Sequence, residues 1–249
     1  LSSPHMGGTE QDYIKEAFDA NWVAPLGPNV NGFEQDISNY IANTNQFQTA
    51  VLTSGTAAIH LGLCMLNVSM DDVIMVQSFT FCGTTNPVSY QGAELVFIDS
   101  ELDTWNMCPV ALKDALECYK NRSVKAIMPV HLYGMPAKMP EIMALSQKYD
   151  IPVIEDAAEA LGSTIKGKAC GSFGDFSTFS FYPAHHITTG EGGAVVTNSK
   201  EVYEKLKLIR SHGRQDKINY FENTEISNYI GMGYNWRLPT ISAALGVSQ

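Results

Sequence analysis

Ala50-Val51-Leu52-Thr53-Ser54-Gly55-Thr56-Ala57-Ala58 reads as a short apolar strand, a Ser-Gly turn and the start of a helix rich in small residues. That helix is expected over 57–66. The same alternation recurs along the chain. Strands are predicted over 72–76, 94–98, 124–130, 152–155, 176–181 and 194–197. Helices are predicted over 109–119, 137–148 and 202–211, the last with an apolar stripe at Val202, Leu206 and Ile209. Ahead of the first strand, Tyr13, Ile14, Ala17 and Phe18 have helical spacing within 10–21. Phe33, Ile37 and Ile41 have it within 32–41, and 25–29 (Pro-Leu-Gly-Pro-Asn) reads as a loop. Strands alternating with helices specify an α/β fold, a mostly parallel sheet with helices on both faces. Ligands of such a sheet bind beyond the carboxyl ends of its strands, so the loops after the strands become the candidate site.

With 249 residues, 45% hydrophobic and 10% aromatic, the chain can bury the core of one large domain. It carries no internal repeat or linker. A formal net charge of −10, with its acidic residues scattered, argues against nucleic acid or a membrane surface as partner. Cys64, Cys82, Cys108, Cys118 and Cys170 contain no C-x-x-C pair. They point to neither a zinc site nor a disulfide framework, and they suit a reducing cytoplasm. No apolar run reaches transmembrane length, and residues 1–8 lack a signal-peptide pattern. The chain begins with Leu1, and the helical pattern of 241–246 is still running near Gln249. It therefore reads as a fragment, one domain over 1–249.

The strand-end loops hold the candidate chemistry. At Ser54-Gly55-Thr56 the free N–H groups of a helix start, with Gly55 allowing close approach, make an anion site; an ordinary N-cap has the same pattern. Asp156 follows the strand 152–155, where a carboxylate can hold a cationic ring nitrogen or a metal, or cap the next turn. Phe79 and Phe81 are either core aromatics, the commoner case, or a stacking face for a planar ligand. Asp175 is expected to fix a turn. Phe179-Ser180-Phe181-Tyr182-Pro183-Ala184-His185-His186-Ile187-Thr188-Thr189-Gly190-Glu191-Gly192-Gly193 sets two adjacent imidazoles between a strand end and a glycine-rich turn, where scaffolds present chemistry. Pyridoxal phosphate requires such a set: N–H donors for phosphate, an aromatic face for the ring, and an Asp that keeps the pyridine nitrogen protonated.

These segments resemble the DegT/DnrJ/EryC1/StrS family of sugar aminotransferases, which have the fold type I architecture of pyridoxal phosphate enzymes. The likeness covers the whole chain. It rests on Pro28-Asn29-Val30 with Phe33-Glu34, Thr53-Ser54-Gly55-Thr56-Ala57-Ala58, His131-Leu132-Tyr133-Gly134 and Glu155-Asp156-Ala157-Ala158-Glu159-Ala160-Leu161-Gly162. It continues in Ser180-Phe181-Tyr182-Pro183, Thr189-Gly190-Glu191-Gly192-Gly193 and Gly233-Tyr234-Asn235-Trp236-Arg237. The resemblance implies that Gly55, Thr56 and Ser180 hold the cofactor phosphate, Phe81 stacks on the ring and Asp156 pairs with the pyridine nitrogen. It places Glu159, where the family often has Gln, near the phenolic oxygen of the ring. Asn235 is implied to reach the phosphate of a partner subunit's cofactor, hence a homodimer. A small C-terminal domain is implied beyond the end of the chain.

One departure bears on mechanism. The family's aminotransferases carry a Lys that links covalently to the cofactor, and here its position is His185. An imidazole forms no lasting bond with an aldehyde, yet with a reference pKa of about 6.5 it serves as a general base at neutral pH. The family's sugar 3-dehydratases share this replacement in a similar Pro-Ala-His-His context. By that likeness, pyridoxal or pyridoxamine phosphate is bound non-covalently. The amine condenses with the 4-keto group of a nucleotide-linked 6-deoxysugar, His185 removes a proton, and the 3-hydroxyl leaves. The 193–249 segment has no cysteine for an iron–sulfur centre, which points to L-glutamate as amino donor. The expected reading is therefore a 3-dehydratase with His185 as base. The alternatives are a nucleotide-sugar aminotransferase with its Lys replaced, and a non-catalytic homologue. His186, Tyr133 and Arg237 are expected to line the site or the surface.

Overall fold

The computed structural model describes residues 3–42, 46–215 and 228–249. Helices α1 (Glu10–Asp19) and α2 (Pro28–Ala42) precede β1 (Gln48–Leu52) and α3 (Gly55–Met65). Next come β2 (Asp72–Gln77), α4 (Cys82–Tyr90), β3 (Glu94–Ile98), α5 (Pro109–Cys118), β4 (Ser123–Met128), α6 (Met139–Tyr149) and β5 (Ile154–Asp156). A hairpin, β6 (Thr164–Ile165) and β7 (Lys168–Ala169), leads to β8 (Phe176–Ser180), β9 (Gly193–Thr197), α7 (Lys200–Arg210) and α8 (Thr240–Val247).

Two ladders, β3-β2-β4 and β5-β8-β9-β1, are joined by parallel bridges from Ile127 to Val153 and from Val130 to Asp156. The sheet order is therefore β3-β2-β4-β5-β8-β9-β1. β9 runs antiparallel to both of its neighbours, while β2 with β3, β2 with β4, and β5 with β8 are parallel. The mostly parallel α/β sheet expected from the alternation is the one that forms.

Both faces are buried, which is why the strands read as continuous apolar runs. Ala50, Leu52, Ile74, Val76, Met128, Ile154, Phe176 and Val195 form one core with Ala58, Leu61 and Leu63 of α3 and Leu206 of α7. Their chain neighbours Val51, Ala194, Val196 and Phe179 point the other way and pack on Phe33, Ile37 and Ile41 of α2 and Ala243 of α8. On that same face, Met75, Ile127 and Val153 meet Leu112 and Leu116 of α5 and Ile142 of α6. The alternation assigns the end of β5: Ile154 and Asp156 share the α3 face, and Glu155 lies on the opposite one. Across the α2 face, the Arg210 guanidinium donates to Glu34 Oε1 and to the Val51 carbonyl, both at 2.6 Å, tying α7, α2 and β1 together.

The structure differs from the pattern reading in particular places. Helix α4 falls where no helix was expected, because Thr84-Thr85-Asn86-Pro87 carries β-branched, amide and proline residues of low helix propensity. Helix α2 starts at Pro28 inside the expected loop, since proline suits a first helical turn. The β6–β7 hairpin also escaped the pattern; its Lys166-Gly167 turn has positive φ at both residues. Helix α8 ends at Val247, capped at Ser248. Among the described residues no helix is long and apolar enough to cross a membrane, and no His/Cys/Asp/Glu group is arranged to hold a metal ion.

Candidate functional site

The carboxyl ends of β1 and β8 meet at the start of α3, and that of β5 meets α4. Ser54 caps that helix, its Oγ accepting the Ala57 N–H at 3.1 Å, while the Ala58 N–H donates to the Ser54 carbonyl. Among the described residues, no protein acceptor takes the N–H groups of Gly55 and Thr56. A Cβ added at Gly55 would lie 2.8 Å from Ser180 Cβ, so only glycine lets the helix start meet the end of β8. A Cβ at Gly193 would lie 2.3 Å from the Ser54 carbonyl carbon; the glycine-rich turn thus lets β9 pass beside the same cap. The N-cap reading of Ser54-Gly55-Thr56 holds, and the cap leaves the N–H groups of Gly55 and Thr56 as donors of the kind that helix starts offer to anions.

Asp156 is 3% exposed. Its Oδ2 accepts the Thr84 hydroxyl at 2.7 Å and its Oδ1 the Ala158 N–H at 3.1 Å. Burial pushes its pKa up, and these two hydrogen bonds only partly offset that. Among the described residues no Lys or Arg forms an ion pair with it. Thr84 went unnoticed in the sequence because α4 did.

Behind Asp156 lies a second pair that sequence reasoning missed. Glu155 is wholly buried and accepts the His131 Nε2–H at 2.8 Å, the backbone N–H groups of Phe173 and Gly174 at 2.9 Å, that of Gly171, and the Ser177 hydroxyl. Burial works against its charge, yet His131 and these N–H groups hold its carboxyl below the ordinary range. Burial opposes a charge on the imidazole as well, and the Ala137 N–H donates to His131 Nδ1 at 2.9 Å, so that nitrogen is an acceptor and the ring is the neutral Nε2–H tautomer. The His131 backbone N–H donates to the Asp156 carbonyl at 3.0 Å, so the pair locks the strand end that carries Asp156. Adjacent acids closing a strand, with His131 opening the preceding strand-end loop, were the available signal.

Phe81 is the N-cap residue of α4 and is 76% exposed; Phe79 is 44% exposed. The core reading of these rings therefore fails. A Cβ added at Gly83 would be 3.1 Å from both Phe81 Cδ1 and Thr56 Oγ1, so α4 brings the Phe81 ring next to the start of α3. Glu159 Oε2 accepts the N–H of Tyr133, an exposed residue with φ of 51°, at 2.9 Å. Asp175 serves its turn by accepting the Val153 N–H at 2.9 Å.

His185 is half-buried and His186 exposed. The His185 Nδ1 lies 3.1 Å from the Ser180 carbonyl oxygen. A carbonyl only accepts, so Nδ1 carries the proton and Nε2 keeps its lone pair. The Tyr182 ring stands edge-on at 5.8 Å. Asn235 is exposed and makes no contact with these residues. It sits on a strap that pairs with β1 through Leu52 and Arg237, and its Oδ1 accepts from Arg237. The sequence-predicted residues Gly55, Thr56, Ser180, Phe81, Asp156 and His185 are thus joined, with Glu159 at the edge and Asn235 apart. A buried carboxylate with no cation, free N–H donors at a helix start and an exposed ring beside them fit a group with a cationic ring nitrogen and an anionic tail.

Residues 4–249 match the model of the DegT/DnrJ/EryC1/StrS aminotransferase family. EpsN of Bacillus subtilis, classed as a pyridoxal phosphate-dependent aminotransferase, is 48% identical over 100% of the chain and 62% of its own length. The GDP-perosamine synthase of Escherichia coli O157:H7 is 39% identical over 99% of the chain and 64% of its own. The solved structure of Spr1654 from Streptococcus pneumoniae, classed as a sugar aminotransferase and determined in PLP and PMP forms, superposes with a TM-score of 0.87 at 27% identity, over 99% of this chain and 64% of that one. The chain thus spans 62–64% of the length of these relatives.

Proposed function

The chain belongs to the DegT/DnrJ/EryC1/StrS aminotransferase family, and from that premise we propose that it is the cofactor-binding large domain of a nucleotide-sugar enzyme. Pyridoxal phosphate and its pyridoxamine form are held without a covalent link, a 4-keto sugar joined to a nucleotide is the substrate, and L-glutamate is the amino donor. The observation that carries this reading is the His185 ring, with Nδ1–H on the Ser180 carbonyl and Nε2 without a partner among the described residues. In the proposed site the N–H groups of Gly55 and Thr56, with the Thr56 and Ser180 hydroxyls, bind the phosphate. Asp156 faces the pyridine nitrogen, and its burial without a protein cation is relieved by that charge. Phe81 covers the ring, and Glu159 stands by its phenolic oxygen. Asn235 serves the partner subunit's site, which makes the enzyme a homodimer. When bound, the cofactor supplies an electron sink and carries the amino group. His185 Nε2 takes up and returns the proton.

The relatives favour amino transfer. EpsN is classed as an aminotransferase and GDP-perosamine synthase is named for an amino sugar. We therefore place amino transfer to the sugar first and loss of the 3-hydroxyl second, which reverses the order expected from the His185 segment alone. The second reading is kept for one reason: no lysine stands at position 185.

The two are separated by the mass of the sugar formed from a nucleotide 4-keto-6-deoxysugar in the presence of pyridoxal phosphate and L-glutamate. Replacement of the keto oxygen by an amino group is the expected result. A 3-deoxy product would establish dehydration instead. A sugar recovered unchanged across GDP, UDP, CDP and dTDP substrates, with cofactor bound, would overturn both in favour of a non-catalytic homologue.

A further inference from the structure

The geometry points to Arg237 as a positioning residue that turns the donor side of the Asn235 amide outward, so that a subunit presents an N–H pair rather than a carbonyl to the anion it helps to bind. This rests on the proposed role of Asn235 at a partner's cofactor phosphate.

Alternation along the strap separates two functions. Tyr234 and Trp236 stack on each other, with ring centroids 3.9 Å apart and planes 2° from parallel, and both sit against His60 of α3 at 5.5 and 4.9 Å. Gln91 lies 2.7 Å from His60 Nε2 and 3.2 Å from Cys64 Sγ, which closes this seat. The backbone is fixed as well: the Tyr234 N–H donates to the Ile209 carbonyl at 2.7 Å, the Trp236 N–H to the Arg210 carbonyl at 3.1 Å, and the Thr53 N–H to the Trp236 carbonyl at 3.0 Å. Asn235 and Arg237 lie between and beyond these anchored rings, on the other side of the extended strap.

There Arg237 Nε and Nη2 donate to Asn235 Oδ1 at 3.2 and 3.1 Å. A guanidinium only donates, so the atom it holds is the amide oxygen and the Nδ2 protons point away from it. An unheld amide would offer either end, and only the N–H end suits a phosphate. Among the described residues no carboxylate pairs with Arg237, whereas Arg210 is taken by Glu34. Arg237 sits near Arg210 and Arg214, which with burial hold its pKa below the usual arginine range.

A double-mutant cycle on cofactor affinity tests this, read by titration of the apoprotein with pyridoxal phosphate and, separately, with pyridoxal, which lacks the phosphate. Asn235→Ala weakens pyridoxal phosphate binding about tenfold or more. Arg237→Met, which keeps the aliphatic stem, weakens it about fivefold in the parent. In the Asn235→Ala background Arg237→Met has no further effect, and pyridoxal affinity stays level throughout. Additive losses in the double variant would overturn the inference, because Arg237 would then act on its own. So would an Arg237→Met protein that binds like the parent, or a loss shared equally with pyridoxal, which would make the role structural. If Asn235→Ala binds pyridoxal phosphate unchanged, the placement of Asn235 itself falls, and this inference with it.

Discussion

His185→Asn is expected to lower turnover by about 10²–10⁴-fold while leaving cofactor affinity within a few-fold of the parent. General-base contributions are of that size, and the asparagine removes the base without removing the loop. The substitution is chosen for its geometry. The His185 side chain makes one hydrogen bond, to the Ser180 carbonyl, beside the edge-on Tyr182 ring, and an asparagine Nδ2–H₂ is able to replace that donor. The loop's own bond, from the His185 N–H to the Tyr182 carbonyl at 3.0 Å, does not depend on the side chain. The donors proposed for the phosphate sit on α3 and β8 and are likewise untouched. A parallel loss of cofactor affinity would move His185 from proton transfer to binding. Unchanged turnover would transfer the base role elsewhere, with the exposed His186 as the next variant to make. Titration of cofactor by absorbance and single-turnover rates separate these outcomes.

The second large effect is expected at Asp156. Asp156→Asn keeps the shape and removes the charge: its amide oxygen accepts the Ala158 N–H as before, and its NH2 turns the Thr84 hydroxyl from donor to acceptor. Loss of a preorganised charge at the reacting group costs about 10²–10³-fold in rate. The same substitution carries an opposite effect on the apoprotein. Burial raises the folded-state pKa of Asp156 above its unfolded value, so the folded chain holds this proton more tightly. Its contribution to stability therefore falls as pH rises from the ordinary carboxylate range through the raised folded pKa. At neutral pH the buried carboxyl is therefore a cost in the absence of a cation. Apo Asp156→Asn should melt at or above the parent at neutral pH, and the difference should close on acidification below the ordinary Asp range. A lower melting temperature at neutral pH would mean that the carboxylate already has a cation in the protein. Activity lost and apo stability kept or gained is the expected trade at a binding site.

The parts of this fold and site that were legible in the sequence are those decided by local chemistry. The strand–turn–helix at Ala50 to Ala58 carries its own signals: apolar β residues, a Ser cap, a glycine and then small helix formers. Asp156 at a strand end and His185 beside a glycine-rich turn stand out because a polar group there has few structural duties. Helix α4 was hidden because it is built from Thr, Asn and Pro. What makes it a helix is Val88 in the core and Thr84 on Asp156, contacts that exist only after the sheet has formed. The Glu155–His131 pair was hidden for a related reason. Its partners lie 24 residues apart, and the pair is defined by which face of β5 Glu155 occupies rather than by any spacing. Gly55 was read as a phosphate-approach residue; its tighter constraint, the contact with Ser180 across 125 residues of chain (180 − 55), is a packing fact that no local pattern contains.

In the proposed enzyme the cofactor is held without a covalent bond and His185 moves the proton. Borohydride reduction of the cofactor-loaded protein, followed by peptide mass mapping, tests this most directly. His185→Lys is the positive control, since it places an amine at position 185. The account predicts no pyridoxyl label on any lysine of the parent and a stable label at position 185 of the variant. A stable label on a parent lysine would contradict it.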